Sequence, residues 1–161
     1  MLRRLAFAAA VGVAAVLALA CSSGGDGRPA GTAAPDATGE DLTRSAEAGG
    51  VTVEATWLTE ATVGAVDADL TAYPPDEYVL IELKLDTHSG DLNAIDLQRE
   101  AALKQDGMTL EPEAWLSLSD DSHHREGIIV FPRSLGDGPV EFTVPIKDED
   151  VGLLWEAAPT T

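Results

Sequence analysis

An antiparallel β-sandwich of seven or eight short strands is the fold that the chain predicts from residue 49 onward. Three observations predict it. Tyr78 to Ser89 alternates with period 2, with Val79, Ile81, Leu83 and Leu85 on one side and Leu80, Glu82, Lys84, Asp86 and His88 on the other. Asp106-Gly107 stands between two apolar runs, the sequence of a two-residue hairpin whose central residues take positive φ. Gly, Pro and Asp recur every few residues, and no long stretch repeats its apolar positions at helical spacing.

In chain order, Val51, Val53, Ala55 and Trp57 alternate with Thr52, Glu54 and Thr56 to give a first strand. Val63, Ala65 and Leu70 around Gly64 are the material for a second. Tyr73-Pro74-Pro75-Asp76 is a loop, because proline cannot donate to a ladder. The Tyr78 strand follows, and then Leu92, Ile95 and Leu97 mark a loop with a buried turn. Ala101 to Gln105 and Met108 to Leu110 flank the Asp-Gly hairpin, and Trp115 to Leu118 continues the sheet after Pro112. Gly127 to Phe131 is short, apolar and β-branched, which predicts a central strand covered on both faces. Phe142, Val144 and Ile146 form a strand that Pro145 confines to an edge or a bulge. Lys147 to Asp150 is a charged turn, and Leu153-Leu154-Trp155 closes the domain. Trp57, Trp115 and Trp155 are expected in the core. The strand count and spacing match sandwiches of the immunoglobulin type.

The first 20 residues carry different information. Met1-Leu2-Arg3-Arg4 is a basic start, Leu5 to Leu19 is uncharged and apolar, and small residues precede Cys21. This is the pattern of a secretory signal, too short to span a bilayer comfortably. Ala18-Leu19-Ala20-Cys21 resembles the lipobox of bacterial lipoproteins, with Ala18 where that family usually has Leu. The resemblance implies cleavage before Cys21, a diacylglycerol thioether on Cys21 and residence on the outer face of a membrane. Two acyl chains anchor a protein stably, at about 0.8 kcal/mol per buried CH₂. Residues 21–48 are rich in Gly, Ala, Ser, Thr and Asp and hold one strongly apolar side chain, Leu42. Such a segment is expected to act as a flexible tether. The organisation is therefore a signal peptide over 1–20, a tether over 21–48 and a sandwich over 49–161.

With 10 basic and 28 acidic residues, the chain has a formal net charge of −18. That balance excludes nucleic acid, whose phosphates need Lys and Arg to displace counterions. The single Cys excludes an intrachain disulfide. There is no Gly-x-Ser-x-Gly elbow, His-Glu-x-x-His pair, phosphate loop or dinucleotide fingerprint, so the chain reads as non-catalytic.

Its chemistry is concentrated in three histidines. Asp86-Thr87-His88-Ser89 ends the long strand, and His123-His124 precedes the Gly127 strand, flanked by Asp121 and Glu126. Neutral imidazole suits Cu or Zn, and a carboxylate can complete the shell. His88, His123 and His124, with Asp86 assisting, are thus the candidate ligands of a transition-metal site. A blue-copper centre is excluded, because its thiolate would have to be Cys21. Asp120-Asp121 and Asp148-Glu149-Asp150 lack the alternating pattern of a Ca²⁺ loop and read as solvated turns.

The Thr/Val-rich first strand, the Asp-Gly hairpin and the Gly-apolar strand resemble the small immunoglobulin-like domains of exported bacterial lipoproteins. Asp86-Thr87-His88-Ser89, Trp115 and His123-His124 resemble a group of exported bacterial proteins with the same Asp-Thr-His-Ser and His-His motifs and no established activity. The expectation is metal handling at the cell envelope. The rival is a non-catalytic module that holds an envelope protein or a glycan.

Overall fold

The computed structural model describes residues 42–159. The expected signal peptide, Cys21 as the expected lipidation site, and the expected tether as far as residue 41 lie outside the described residues. Two antiparallel sheets pack face to face. The first, of five strands, has the order β1-β2-β3-β7-β6, and the second, of four, has the order β5-β4-β8-β9. The first comprises β1 (Thr43–Ala48), β2 (Val51–Leu58), β3 (Tyr78–Thr87), β6 (Ala114–Asp120) and β7 (His124–Pro132). The second comprises β4 (Ala102–Gln105), β5 (Met108–Leu110), β8 (Val140–Ile146) and β9 (Glu149–Trp155).

The alternation read from the sequence sets the faces. Val51, Val53, Ala55 and Trp57 of β2 and Val79, Ile81, Leu83 and Leu85 of β3 all enter the main core. They meet Phe142, Val144 and Ile146 of β8 and Val151, Leu153 and Trp155 of β9. Two edge-on aromatic pairs join the sheets: Trp57 to Trp155 at 5.5 Å and Phe131 to Phe142 at 6.0 Å between ring centroids. Trp115 is only partly buried, its indole lying over the backbone of Gly127.

β7 is the doubly covered strand that its composition predicts. Ile129 and Phe131 face the main core, whereas Ile128 and Val130 join Leu58 and Leu80 in a second cluster on the outer face. The cover is the segment after β2, which contributes Val63, Val66, Ala68, Leu70 and Tyr73. This segment was expected to supply a strand around Gly64. It forms instead a 3₁₀ turn at Val63–Ala65 and a loop, because its apolar residues must reach across the sheet rather than pair at its edge. Arg133 fastens the loop's end by donating from Nη1 to the carbonyls of Pro75 and Tyr78.

Three further expectations change. The sandwich begins before residue 49, since Thr43–Ala48 pairs with β2 in full register. Its inward residues, Ala46 and Ala48, are too small to register as an apolar alternation, yet they pack on the core. With this extra strand the described residues form nine. β8 is not an edge strand: it pairs with β4 and β9. Pro145 is tolerated because β4 reaches only as far as Thr143, so no partner asks for its missing N–H. Finally, Glu149 and Asp150 belong to β9, and the turn is confined to Lys147 and Asp148, with Lys147 at φ 57°. The Asp106-Gly107 hairpin forms as predicted, with φ of 50° and 80°.

Candidate functional site

The antiparallel register of β3 and β7 sets Asp86 directly opposite His124. Both side chains emerge on the outer face of the first sheet, and Asp86 Oδ1 makes a short contact with His124 Nδ1. The pair is solvated, with side chains 54% and 70% exposed respectively. A carboxylate at Nδ1 orients an imidazole ring and, in its neutral form, favours the tautomer with the proton on Nδ1 and the acceptor on Nε2. Sequence reasoning cast Asp86 as a metal ligand; in the structure its carboxylate contacts the His124 ring.

The Asp86–His124 pair forms a ridge between two shallow depressions. One, of about 360 Å³, is bordered by Glu47, Thr52, His88 and Ser89. The other is bordered by Lys84, Ser119 and Glu126. His88 and His124 therefore share one depression. His123 does not line it, and its backbone carbonyl instead accepts from Thr87 N at 2.9 Å. Among the described residues, no group of three or more His, Cys, Asp or Glu is gathered closely enough to hold a metal ion.

The two histidine motifs are wired together by groups that the sequence did not advertise. Thr87 is buried, and its hydroxyl reaches the carbonyls of Gly50 and Ser89, which fixes the chain on either side of His88. Leu92 N donates to Ser122 O at 2.9 Å, and Asn93 Nδ2 to Asp120 O at 3.0 Å. Asp121 Oδ1 accepts from the backbone N–H groups of His123 and His124. The His123 N–H, foremost, holds the Asp121 carboxyl below its ordinary value of 3.8, although burial opposes the shift.

Arg125 is a buried charge in this network. It faces inward at the core's rim, where an apolar residue would be ordinary, and its Nη1 donates to Leu92 O at 3.0 Å and Ile95 O at 2.7 Å. The guanidinium carbon lies 5.2 Å from the centre of the Trp115 ring. Its Nε has no hydrogen-bond partner and stands 3.9 Å from an Asp120 oxygen. A charge one residue from His124 was readable in the sequence, but its inward direction follows only from the register of β7.

The fold consumes much of its positive charge internally. Arg44 donates to Leu154 O, and Lys147 Nζ contacts Gly49 O. Lys84 sits between Glu82 and Glu126. Burial would lower the Lys84 pKa, but the neighbouring carboxylates outweigh it and hold the ammonium above its usual value. The exposed large apolar residues make no shared patch: Met108 and Leu154 stand on opposite edges of the second sheet, and Leu118 is on the first. No family model, curated protein or solved structure gives a match to this chain.

Proposed function

We propose that the chain is a lipid-anchored, non-catalytic envelope protein with an immunoglobulin-like sandwich that takes up Cu or Zn at its histidine rim. The observation that carries the metal reading is the Asp86–His124 contact through Nδ1, at the edge of a depression that His88 also lines. Metal-ligating histidines characteristically donate their second nitrogen to a carboxylate in this way. His124 and His88 are the protein ligands in this reading, and water completes the shell. His123 is not required.

The immunoglobulin-like assignment is supported by strand order. Lettering β2 to β9 as A, B, C, C′, D, E, F and G reproduces an A-B-E-D sheet facing a C′-C-F-G sheet, with β1 added before A. The lipid anchor is supported by Cys21 directly after a signal-type apolar run.

Calorimetric titration of the purified chain with Zn²⁺ and Cu²⁺ tests the metal reading. Saturable binding is expected, lost in His124→Ala and weakened by about 10-fold to 100-fold in Asp86→Asn. Binding should also fall on acidification, since imidazole must shed its proton to coordinate. Absence of saturable binding, or equal binding by His124→Ala, rejects the reading and leaves the sandwich as a protein- or glycan-holding module.

A further inference from the structure

A third depression opens at the same end of the sandwich, at the rim of the core. Its floor is apolar, made by Val51 at the start of β2, Leu92 and Ile95 in the connection after β3, and Ile146 at the end of β8. Val51, Leu92 and Ile146 are buried in the main core, so the depression is a shallow cleft over the core's rim, with Ala94, Ile95 and Pro145 as its accessible apolar lining. Its volume is about 210 Å³. An apolar cavity of about 150 Å³ accepts a benzene ring, so this one holds a single ring or branched aliphatic group. Drug-sized ligands need roughly 300 Å³ or more.

The mouth of the cleft is polar, with carboxylates from Asp91 and Glu100 and the ammonium of Lys147. These groups are not equally available. Lys147 Nζ is turned to the Gly49 carbonyl, and Asp91 Oδ1 accepts from Asn93 N. Glu100 is exposed and enters no ion pair among the described residues. The wall is also preformed, because Arg125 fixes the carbonyls of Leu92 and Ile95. A fixed wall lowers the ordering cost of binding.

We propose that this cleft binds a small amphipathic cation. The ligand seats one ring or branched aliphatic group against Ala94, Ile95 and Pro145 and sets an ammonium or guanidinium against Glu100 and Asp91. Charge selects the head group: the chain carries −18, and an anionic head would meet two carboxylates at the entrance. The same chemistry is offered by a free aryl- or alkylamine and by a basic peptide with one large apolar residue. The proposal uses neither His88 nor His124, so it stands or falls apart from metal binding.

The test is NMR titration of the isotopically labelled full chain with benzylamine, benzyl alcohol and benzoate, and with a capped lysyl-phenylalanyl-lysine peptide. Benzylamine should shift the amide signals of Leu92, Ala94 and Ile146 saturably, and benzyl alcohol and benzoate should bind more weakly. Glu100→Gln should weaken benzylamine about three-fold, the scale of an exposed ion pair. Ala94 is exposed at the mouth, so Ala94→Trp should cover the cleft and abolish the shifts without unfolding the chain. A peptide that binds the same signals more tightly than benzylamine supports the proposal with a protein segment as the source. The reverse order supports it with a free amine as the source. No saturable shift with either cation, or benzyl alcohol binding as tightly as benzylamine, overturns it.

Discussion

Gly127→Ala probes the packing that lets β6 lie against β7. A methyl group built at Gly127 falls 2.5 Å from the Leu116 carbonyl oxygen and 2.5 Å from Cη2 and Cζ2 of Trp115. The indole can be displaced, but the carbonyl belongs to the backbone of β6 and yields only if the strand moves. Overpacking of this kind costs about 1–3 kcal/mol. Displacing Trp115 also loosens its contact with the Arg125 guanidinium, a further ~0.5–1 kcal/mol. The lost flexibility of glycine in the unfolded chain returns ~0.4–1 kcal/mol. The net expectation is a loss of about 2 kcal/mol, or roughly 8 °C in Tm for a domain of this size. Urea denaturation followed by circular dichroism measures it. Gly152→Ala is the matched control. There the three atoms nearest the added methyl all belong to the Glu141 side chain, Oε1 at 2.5 Å foremost, and that exposed, flexible side chain can swing away. It should be neutral within about 0.5 kcal/mol. If Gly127→Ala is equally neutral, the reasoning about Trp115 and β6 is wrong.

Two other expectations concern the rim. Arg125→Ala leaves the Leu92 and Ile95 carbonyls without their charged donor, and each such bond contributes about 1.5–3 kcal/mol. It should lower stability by about 3 kcal/mol and speed hydrogen exchange over residues 92–101 more than in β3; uniform acceleration would reject the clamp. Asp121 has a folded-state pKa below 3.8, so its stabilising contribution is complete above that value and disappears as pH falls through the lower folded value. The Tm advantage of the parent over Asp121→Asn should therefore be present at about pH 5 and decline on acidification below the carboxyl's ordinary value. An advantage that persists at the acid end would assign Asp121 another role.

The strongest signals in the sequence were those in which one side chain pattern answers one face. The alternation in β2 and β3, the Asp106-Gly107 hairpin and the run at Gly127 all predict their observed elements. What escaped depends on partners remote in sequence. β1 escaped because Ala46 and Ala48 carry little hydrophobic contrast, and their burial becomes evident only once β2 lies beside them. The segment after β2 escaped because its apolar residues follow no period. Leu80, alone among outward residues of β3 in being aliphatic, was the clue that something must cover that face. The site was legible as two motifs, but not as an arrangement. Asp86 meets His124 rather than His123 because the β3–β7 register decides it, and adjacent residues on a strand point oppositely.

The marriage of β3 to β7 has a kinetic side. Asp86 and His124 are 38 residues apart, and β4, β5 and β6 lie between the two strands in the chain. A sheet centred on so distant a pairing closes late, because the entropy of a large loop is lost before its contacts are gained. Until then the aliphatic row of β3 has no neighbour on that edge and is open to association with other chains. Assembly at high dilution should consequently give a better yield than assembly in a crowd.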